Sequence, residues 1–199
     1  MNSIVKSSSD YVDGFLKENL PLEFTYHNFC HARDVFEAVT ELGENSGLPD
    51  SELEIIQVAA WFHDTGFVKG YLGHEYKSVD IAKEYLISIH CPVKKIERII
   101  EIILMTELAN MPITLSEKII RDADILHIAK EDFFSKCLAL KSEWDYTGFK
   151  NLTESEWLQT CLDFISSAAF FTEFANLKYE PGRKKNISCL REMIKELIA

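Results

Sequence analysis

Apolar residues recur along this chain at intervals of three and four, and few segments alternate with period two, so the pattern predicts helices and no sheet. A first helix is expected over 9–19, ended by Pro21. Asn28 is placed to cap a second helix carrying Phe29, Ala32, Val35, Phe36, Val39 and Leu42, which stops near the glycines at 43 and 47. Pro49-Asp50-Ser51 opens a third, whose last residues, Ala59-Ala60-Trp61-Phe62, are apolar on every side and therefore belong in the interior. That helix runs into His63-Asp64, and the turn signals Gly66, Gly70 and Gly73 follow. Further helices are expected over 74–89, 92–106, 115–129, 131–145, 153–175 and 182–198. Within them, 96–104 is apolar nearly all round, the mark of a central helix. No repeat, low-complexity tract or long linker divides the chain, so a single all-α domain over 1–199 is expected.

Charge narrows the function classes. The 199 residues include 32 acidic and 21 basic side chains, a net charge of −11, which argues against an extended nucleic-acid or anionic-membrane footprint. No run approaches the ~18–20 apolar residues of a membrane span, and the N-terminal MNSIVKSSSD contains no long apolar stretch, so neither an anchor nor a secretory leader is expected. The five cysteines are scattered with no CxxC pair, an arrangement that suits small buried hydrophobes in a reducing cytoplasm better than a disulfide framework or a thiolate metal site.

Four pieces carry candidate chemistry: His27 and His31 in TYHNFCHARDV, His63-Asp64 in AAWFHDTG, His74-Glu75 in GHEYKS, and Asp122 and Asp124 in RDADILHIA. At about 100° per residue, His31 falls on the flank of its helix's apolar stripe, where a side chain reaches a partly buried site. His27 lies four residues earlier, one helical turn away. A carboxylate directly after Ala-Ala-Trp-Phe is unfavourable at a buried helix end unless it is paired or bound to a metal, although a helix-end turn with His63 as C-terminal cation also accounts for it. Two imidazoles and two carboxylates form a mixed nitrogen and oxygen set suited to Mn²⁺, Fe²⁺, Co²⁺, Ni²⁺ or Zn²⁺. Asp122 and Asp124 are separated by about 200° on a helix, so only one of them can face that site while the other pairs with Arg121 or solvent; spacing leaves open which.

The order His31, His63-Asp64, Asp124 resembles the HD-domain superfamily of metal-dependent phosphohydrolases, whose pattern is H…HD…D on a helical bundle. YHNFCHARDV is similar to the YHNxxHAxDV segment of cyclic-nucleotide phosphodiesterases and bacterial HD phosphohydrolases. HEYKSVDIAKEYL resembles the helix that follows the HD pair, DADIL the segment that supplies the last ligand, and FFTEFANLKYEPGRKKNISCL the tail of the bacterial group. The resemblance implies an HD-type helical bundle with a motif-bearing core at about 22–130 and C-terminal helices over 131–199. It implies His31, His63, Asp64 and Asp124 as ligands of a divalent ion (Mn, Fe, Co, Ni, Zn or Mg), with Asp124 preferred over Asp122. It also assigns His27 to protonating the leaving oxygen and Lys69 to facing a phosphate, and on chemical grounds Asp64 or Asp124 is the expected acceptor of a proton from the attacking water. His74 and Glu75 match a second metal or substrate position, whereas Met105 stands where binuclear members carry another histidine.

The activity so implied is hydrolysis of a small phosphorylated substrate, a nucleotide or cyclic nucleotide being the narrower expectation, with Arg121 and the run Arg183-Lys184-Lys185 as further candidate cations. A di-iron oxygenase on the same scaffold and a silent metal- or nucleotide-binding module are the alternatives. The aromatics Phe164, Phe170, Phe171 and Phe174 are expected in the core or on a homodimer surface. Tyr71, Tyr76, Trp144 and Tyr146 are candidate pocket residues, and His90 and His127 are read as structural.

Overall fold

The computed structural model describes residues 3–198. Its α-helices are α1 (Ser3–Asn19), α2 (Phe29–Asn45), α3 (Asp50–Phe62), α4 (His74–Ser88), α5 (Val93–Leu104), α6 (Leu115–Asp124), α7 (Phe133–Thr147), α8 (Glu154–Ser167) and α9 (Glu173–Ile198). Two 3₁₀ helices, Thr65–Lys69 and Leu126–Ala129, follow α3 and α6, and no strand occurs among the described residues. The bundle is all-α, as the periodicity requires.

α3 is the central helix. It buries Ile55, Ile56, Val58, Ala59, Ala60, Trp61 and Phe62, nearly its whole circumference, and packs against α1, α2, α4, α5 and α6. The expectation that 96–104 is central does not hold. α5 lays one face inward through Ile96, Ile99, Ile102 and Ile103 and leaves Lys94, Glu97 and Glu101 exposed, an amphipathic helix on the outside of the bundle. α1 starts at Ser3, six residues before its expected start, because Val5 extends the buried stripe of Val12 and Leu16. Asn28 caps α2 as expected, its Oδ1 accepting the Cys30 N–H at 2.9 Å.

Two expected helices are each broken by a distant side chain that captures backbone groups. The expected helix 115–129 ends at Asp124 and tightens into the 3₁₀ turn, where the Asn186 amide of α9 donates to the carbonyls of Ile128 at 2.9 Å and Lys130 at 3.0 Å. The expected helix 153–175 stops at Ser167, because the Asp122 carboxylate takes the N–H groups of Phe171 at 2.7 Å and Thr172 at 2.8 Å. In a continuous helix those groups would bond within 153–175 itself. α9 then begins at Glu173, nine residues before the expected 182, and runs through Pro181. Gly182 is required on its inner face: a Cβ there would lie 2.2 Å from the Ala129 carbonyl oxygen.

A second glycine positions the site. Gly66 of the first 3₁₀ helix lies against the start of α4, so closely that a Cβ would stand 2.0 Å from the His74 carbonyl oxygen. Its N–H donates to Ser78 Oγ at 2.8 Å. The chain leaving α3 is thereby pressed onto α4, and His74 is held beside the His63-Asp64 pair.

Candidate metal centre

α2 supplies His31, the C-terminal end of α3 supplies His63 and Asp64, and the last residue of α6 supplies Asp124. Their donor atoms converge. His31 Nε2 lies 3.3 Å from Asp64 Oδ2, from Asp124 Oδ1 and from His63 Nε2. His63 Nε2 lies 3.2 Å from Asp64 Oδ2 and 3.5 Å from Asp124 Oδ1. Donors held about 2.0–2.2 Å from one ion and roughly 90–110° apart stand about 2.8–3.6 Å from one another, so these separations fit neighbouring members of a single ligand shell. His31, His63 and Asp124 place three donors mutually within 4.8 Å, and Asp64 joins them through its approach to the two imidazoles.

The orientation of the rings supports the same reading. His63 Nδ1 donates to the Ala60 carbonyl at 2.8 Å, which leaves its Nε2 directed at the two carboxylates. Two buried carboxylates in one site need positive charge between them. In the protein alone the imidazoles provide it. Burial pushes His31 down, but its hydrogen bonds to Asp124 and Asp64 prevail and its pKa is raised. Burial likewise opposes protonation of His63, yet the charge of Asp64 and the bonds to both carboxylates hold it well above the usual value. Asp64 and Asp124 lie correspondingly below the carboxylate range, against the effect of burial, because they face those two rings. A divalent cation matches the −2 charge and the four donors together.

Beside this centre lies a second constellation. His27 precedes the cap of α2, so it does not share a helical face with His31, although both rings line one cavity with centroids 6.0 Å apart. His27 Nδ1 donates to Glu143 Oε1 at 2.5 Å, and the ring stacks on Phe67 at 3.9 Å. Glu143, from α7, has no solvent exposure. Its carboxylate also accepts the N–H groups of Tyr26 and His27 at 2.9 Å and the Tyr71 hydroxyl. His27 is therefore held with Nδ1 as donor and Nε2 at its other edge.

Asp64 uses its second oxygen differently: Oδ1 lies 3.5 Å from His74 Nε2, which is also 3.5 Å from Glu75 Oε1. His74 Nδ1 pairs with the Tyr71 carbonyl at 3.0 Å, so the ring is oriented toward Asp64. His27, His31, Asp64, His74, Glu75 and Asp124 all line one cavity of about 490 Å³. His63 sits behind them with no exposure.

Other candidates lie elsewhere. Lys69 ends the first 3₁₀ helix exposed, outside the cavity lining, with its carbonyl accepting from Lys77 at 2.9 Å. Arg121 is buried and closes the end of α5 by donating to the carbonyls of Met105 at 3.2 Å and Glu107 at 2.6 Å. Arg183 pairs with Glu180 and donates to the Ile165 carbonyl at 2.6 Å, which makes it a clasp on the end of α8. Lys184 and Lys185 are exposed. Met105 does not line the cavity, whereas the next residue, Thr106, does. Tyr71, Trp144 and Phe164 line it, and Tyr76 and Tyr146 do not.

Asp122 turns away from the centre, and its partners are the backbone of Phe171 and Thr172 and the Thr172 hydroxyl at 2.7 Å, neither Arg121 nor solvent. Sequence reasoning missed Glu143, Tyr26 and the place of His127 in the cavity wall. His127 faces the Tyr26 hydroxyl at 3.1 Å, and burial, with the His31 charge, pushes its pKa down to about 3, so this ring is neutral. The available signal for Glu143 was its place beside Phe133, Cys137, Leu140 and Trp144 on the inward side of α7.

Two solved structures share this fold over nearly their full length. The Lin1889 protein of Listeria innocua is 21% identical, with a TM-score of 0.69 covering 100% of this chain and 99% of its own. A protein of Lactobacillus plantarum is 14% identical, with a TM-score of 0.71 covering 99% and 96%. No curated protein matches the sequence. Residues 28–129, which run from the cap of α2 through the 3₁₀ turn after Asp124, match the model of the HD domain. The chain belongs to the HD domain family.

Proposed function

We propose that this protein is a phosphohydrolase that cleaves a small phosphate ester with the help of a divalent metal ion held by His31, His63, Asp64 and Asp124. HD domain proteins are in general metal-dependent phosphohydrolases. The observation that carries the reading here is the meeting of two constellations in one cavity: two imidazole donors that each lie 3.2–3.5 Å from both the Asp64 and Asp124 carboxylates, and beside them an imidazole locked by a buried glutamate.

A cation in this site supplies Lewis acidity toward the phosphoryl oxygens and lowers the pKa of a water in its shell. The chain's own residues do the rest. With Oδ2 of Asp64 turned to the cation, its second oxygen, Oδ1, 3.5 Å from His74 Nε2, would be the one to accept a proton from the attacking water. His27 gives a proton to the departing alkoxide from Nε2, while Glu143 holds Nδ1 and stabilises the charged ring before transfer. His74 and Glu75 anchor the substrate or a second cation at the far side of Asp64.

The test is turnover of a panel of phosphate esters, nucleotides and cyclic nucleotides included, with Mn²⁺, Co²⁺ or Ni²⁺ added. Cleavage that vanishes in His63→Ala and in chelator supports the proposal. No release of phosphate or alcohol above the His63→Ala background under any metal overturns it.

A further inference from the structure

The cavity extends well past the ligand cluster. About 10–15 Å³ of such space admits one water, so a phosphoryl group and its attacking water take up only a minor part of the cavity. The remainder of the 490 Å³ is walled by α7, α8 and the segment joining them: Phe133, Leu140, Trp144, Phe149, Trp157 and Phe164. Trp144 anchors this chamber, edge-on to Phe149 at 5.3 Å and to Trp157 at 5.2 Å. Phe149 in turn stacks on Tyr71 at 4.6 Å, and Tyr71 is bonded to the same Glu143 that holds His27. The aromatic wall is thus continuous with the catalytic side of the site.

The polar groups in this part of the lining are few. Thr160, Cys137 and Cys161 contribute weak hydrogen-bonding groups, and among the described residues no asparagine, glutamine or arginine lines the cavity. Its lysines are Lys136, which is paired with Asp34, and Lys150, whose Nζ stands 4.9 Å over the Trp144 ring. A substrate with several phosphates brings several negative charges to a protein of net charge −11, and two ammonium groups do not balance them. Reading the edge of a nucleobase also calls for side-chain amides or carboxylates, and the acids lining the cavity belong to the metal side.

We infer that the substrate is a single-phosphate ester whose alcohol carries a flat apolar body, seated against Trp144, Phe149 and Trp157 with its phosphate at the His31, His63, Asp64 and Asp124 cluster. This inference rests on the phosphohydrolase reading and adds the class of alcohol. The chamber selects by excluding water from an aromatic face, and Lys150 at the rim draws the anion in.

Two measurements test it. With metal supplied, kcat/KM is compared for four alkyl esters with alkoxide leaving groups: 2-(1-naphthyl)ethyl phosphate, glycerol 3-phosphate, a nucleoside monophosphate and a nucleoside triphosphate. The naphthyl ester is expected to lead by about tenfold or more, and Trp144→Ala and Phe149→Ala to shrink that lead several fold. In parallel, binding of 1-naphthol to chelator-treated protein is followed by ligand-observed NMR, a readout independent of turnover; it is expected in the wild type and weakened in Phe149→Ala, whose partly exposed site tolerates truncation. Equal rates on all monoesters, or preference for either nucleotide, overturn the inference and leave the phosphohydrolase reading standing. Failure of 1-naphthol to bind overturns it as well. Binding of 1-naphthol with no ester cleaved overturns the phosphohydrolase reading and the ester part of this inference, and upholds the aromatic chamber.

Discussion

Replacing Glu143 with glutamine keeps the shape of the side chain and removes its charge. The carboxylate takes four donors: the N–H groups of Tyr26 and His27, His27 Nδ1 and the Tyr71 hydroxyl. An amide oxygen still satisfies the two backbone groups. Its NH₂ then faces His27 Nδ1 and Tyr71, and both must turn from donor to acceptor. Neutral His27 is thereby driven to the tautomer protonated at Nε2, and its imidazolium loses its buried counter-charge. Hydrogen bonds to a charged group contribute about 1.5–3 kcal/mol each, so a loss of about 3 kcal/mol in folding is expected. Removing a general acid lowers rates by roughly 10²–10⁴, or about 3–5 kcal/mol in the barrier.

The assay that separates these two effects varies the leaving group. An alkyl phosphate needs its departing oxygen protonated, whereas 4-nitrophenolate leaves without help. Glu143→Gln should therefore slow the alkyl ester about 100-fold or more and the nitrophenyl ester about tenfold or less. His27→Ala should show the same split, and the double variant no further loss. An equal decline on both esters refutes the reasoning and reduces Glu143 to a packing role; undiminished rates on both refute the assignment of His27. Acid stability provides a second check. Burial opposes ionisation of Glu143, but its hydrogen bond to His27 and the charge of that ring prevail and depress its pKa. A carboxyl depressed on folding contributes stability above its unfolded value of about 4.3 and loses that contribution as pH falls through the lower folded value. Thermal unfolding of Glu143→Gln should accordingly decline less steeply between about pH 5 and pH 3 than that of the wild type.

Asp122→Ala strands the buried N–H groups of Phe171 and Thr172, so a loss of about 3 kcal/mol, or about 6–12 °C in Tm, is expected by calorimetry. Elemental analysis should find the metal retained in that variant, though held less tightly, and lost at least tenfold in Asp124→Ala. Adding a divalent cation at about 100 times its Kd should raise stability by about 2.7 kcal/mol, seen as a Tm increase that EDTA reverses and His63→Ala abolishes. His90 occupies a left-handed conformation at φ 57 after α4, with Cys91 N–H on the Leu86 carbonyl at 2.9 Å, so His90→Gly should relieve about 1 kcal/mol and raise Tm by about 2–4 °C without altering turnover.

What could be read from the chain and what could not divides along physical lines. His63-Asp64 was visible because a charge directly after Ala-Ala-Trp-Phe has to be compensated, and the requirement is local. The helices were visible from their apolar stripes, and Asn28 from its place before one. Glu143 was not, because its partners are more than a hundred residues away at Tyr26 and His27, and its place on the apolar side of its helix does not say what it meets there. Lys69 sat close to the HD pair in sequence, yet the 3₁₀ turn points it out of the cavity. Boundaries failed where side chains from far along the chain took backbone groups, Asn186 at 128–130 and Asp122 at 171–172.

The two aspartates of α6 show how one local rule can be sound and still incomplete. A rotation of about 200° between residues two apart requires that Asp122 and Asp124 face opposite ways, and they do. Which of them meets His31 is decided by the return of the chain at 171–172, whose unpaired N–H groups demand an acceptor at the back of α6. Once Asp122 is committed there, the rotation of α6 is set and Asp124 is delivered to the cluster. The entry into α9 and the His/Asp cluster are therefore two ends of one helical turn. A substitution that loosens the Asp122 clasp, although it touches no ligand, must register in the position of Asp124.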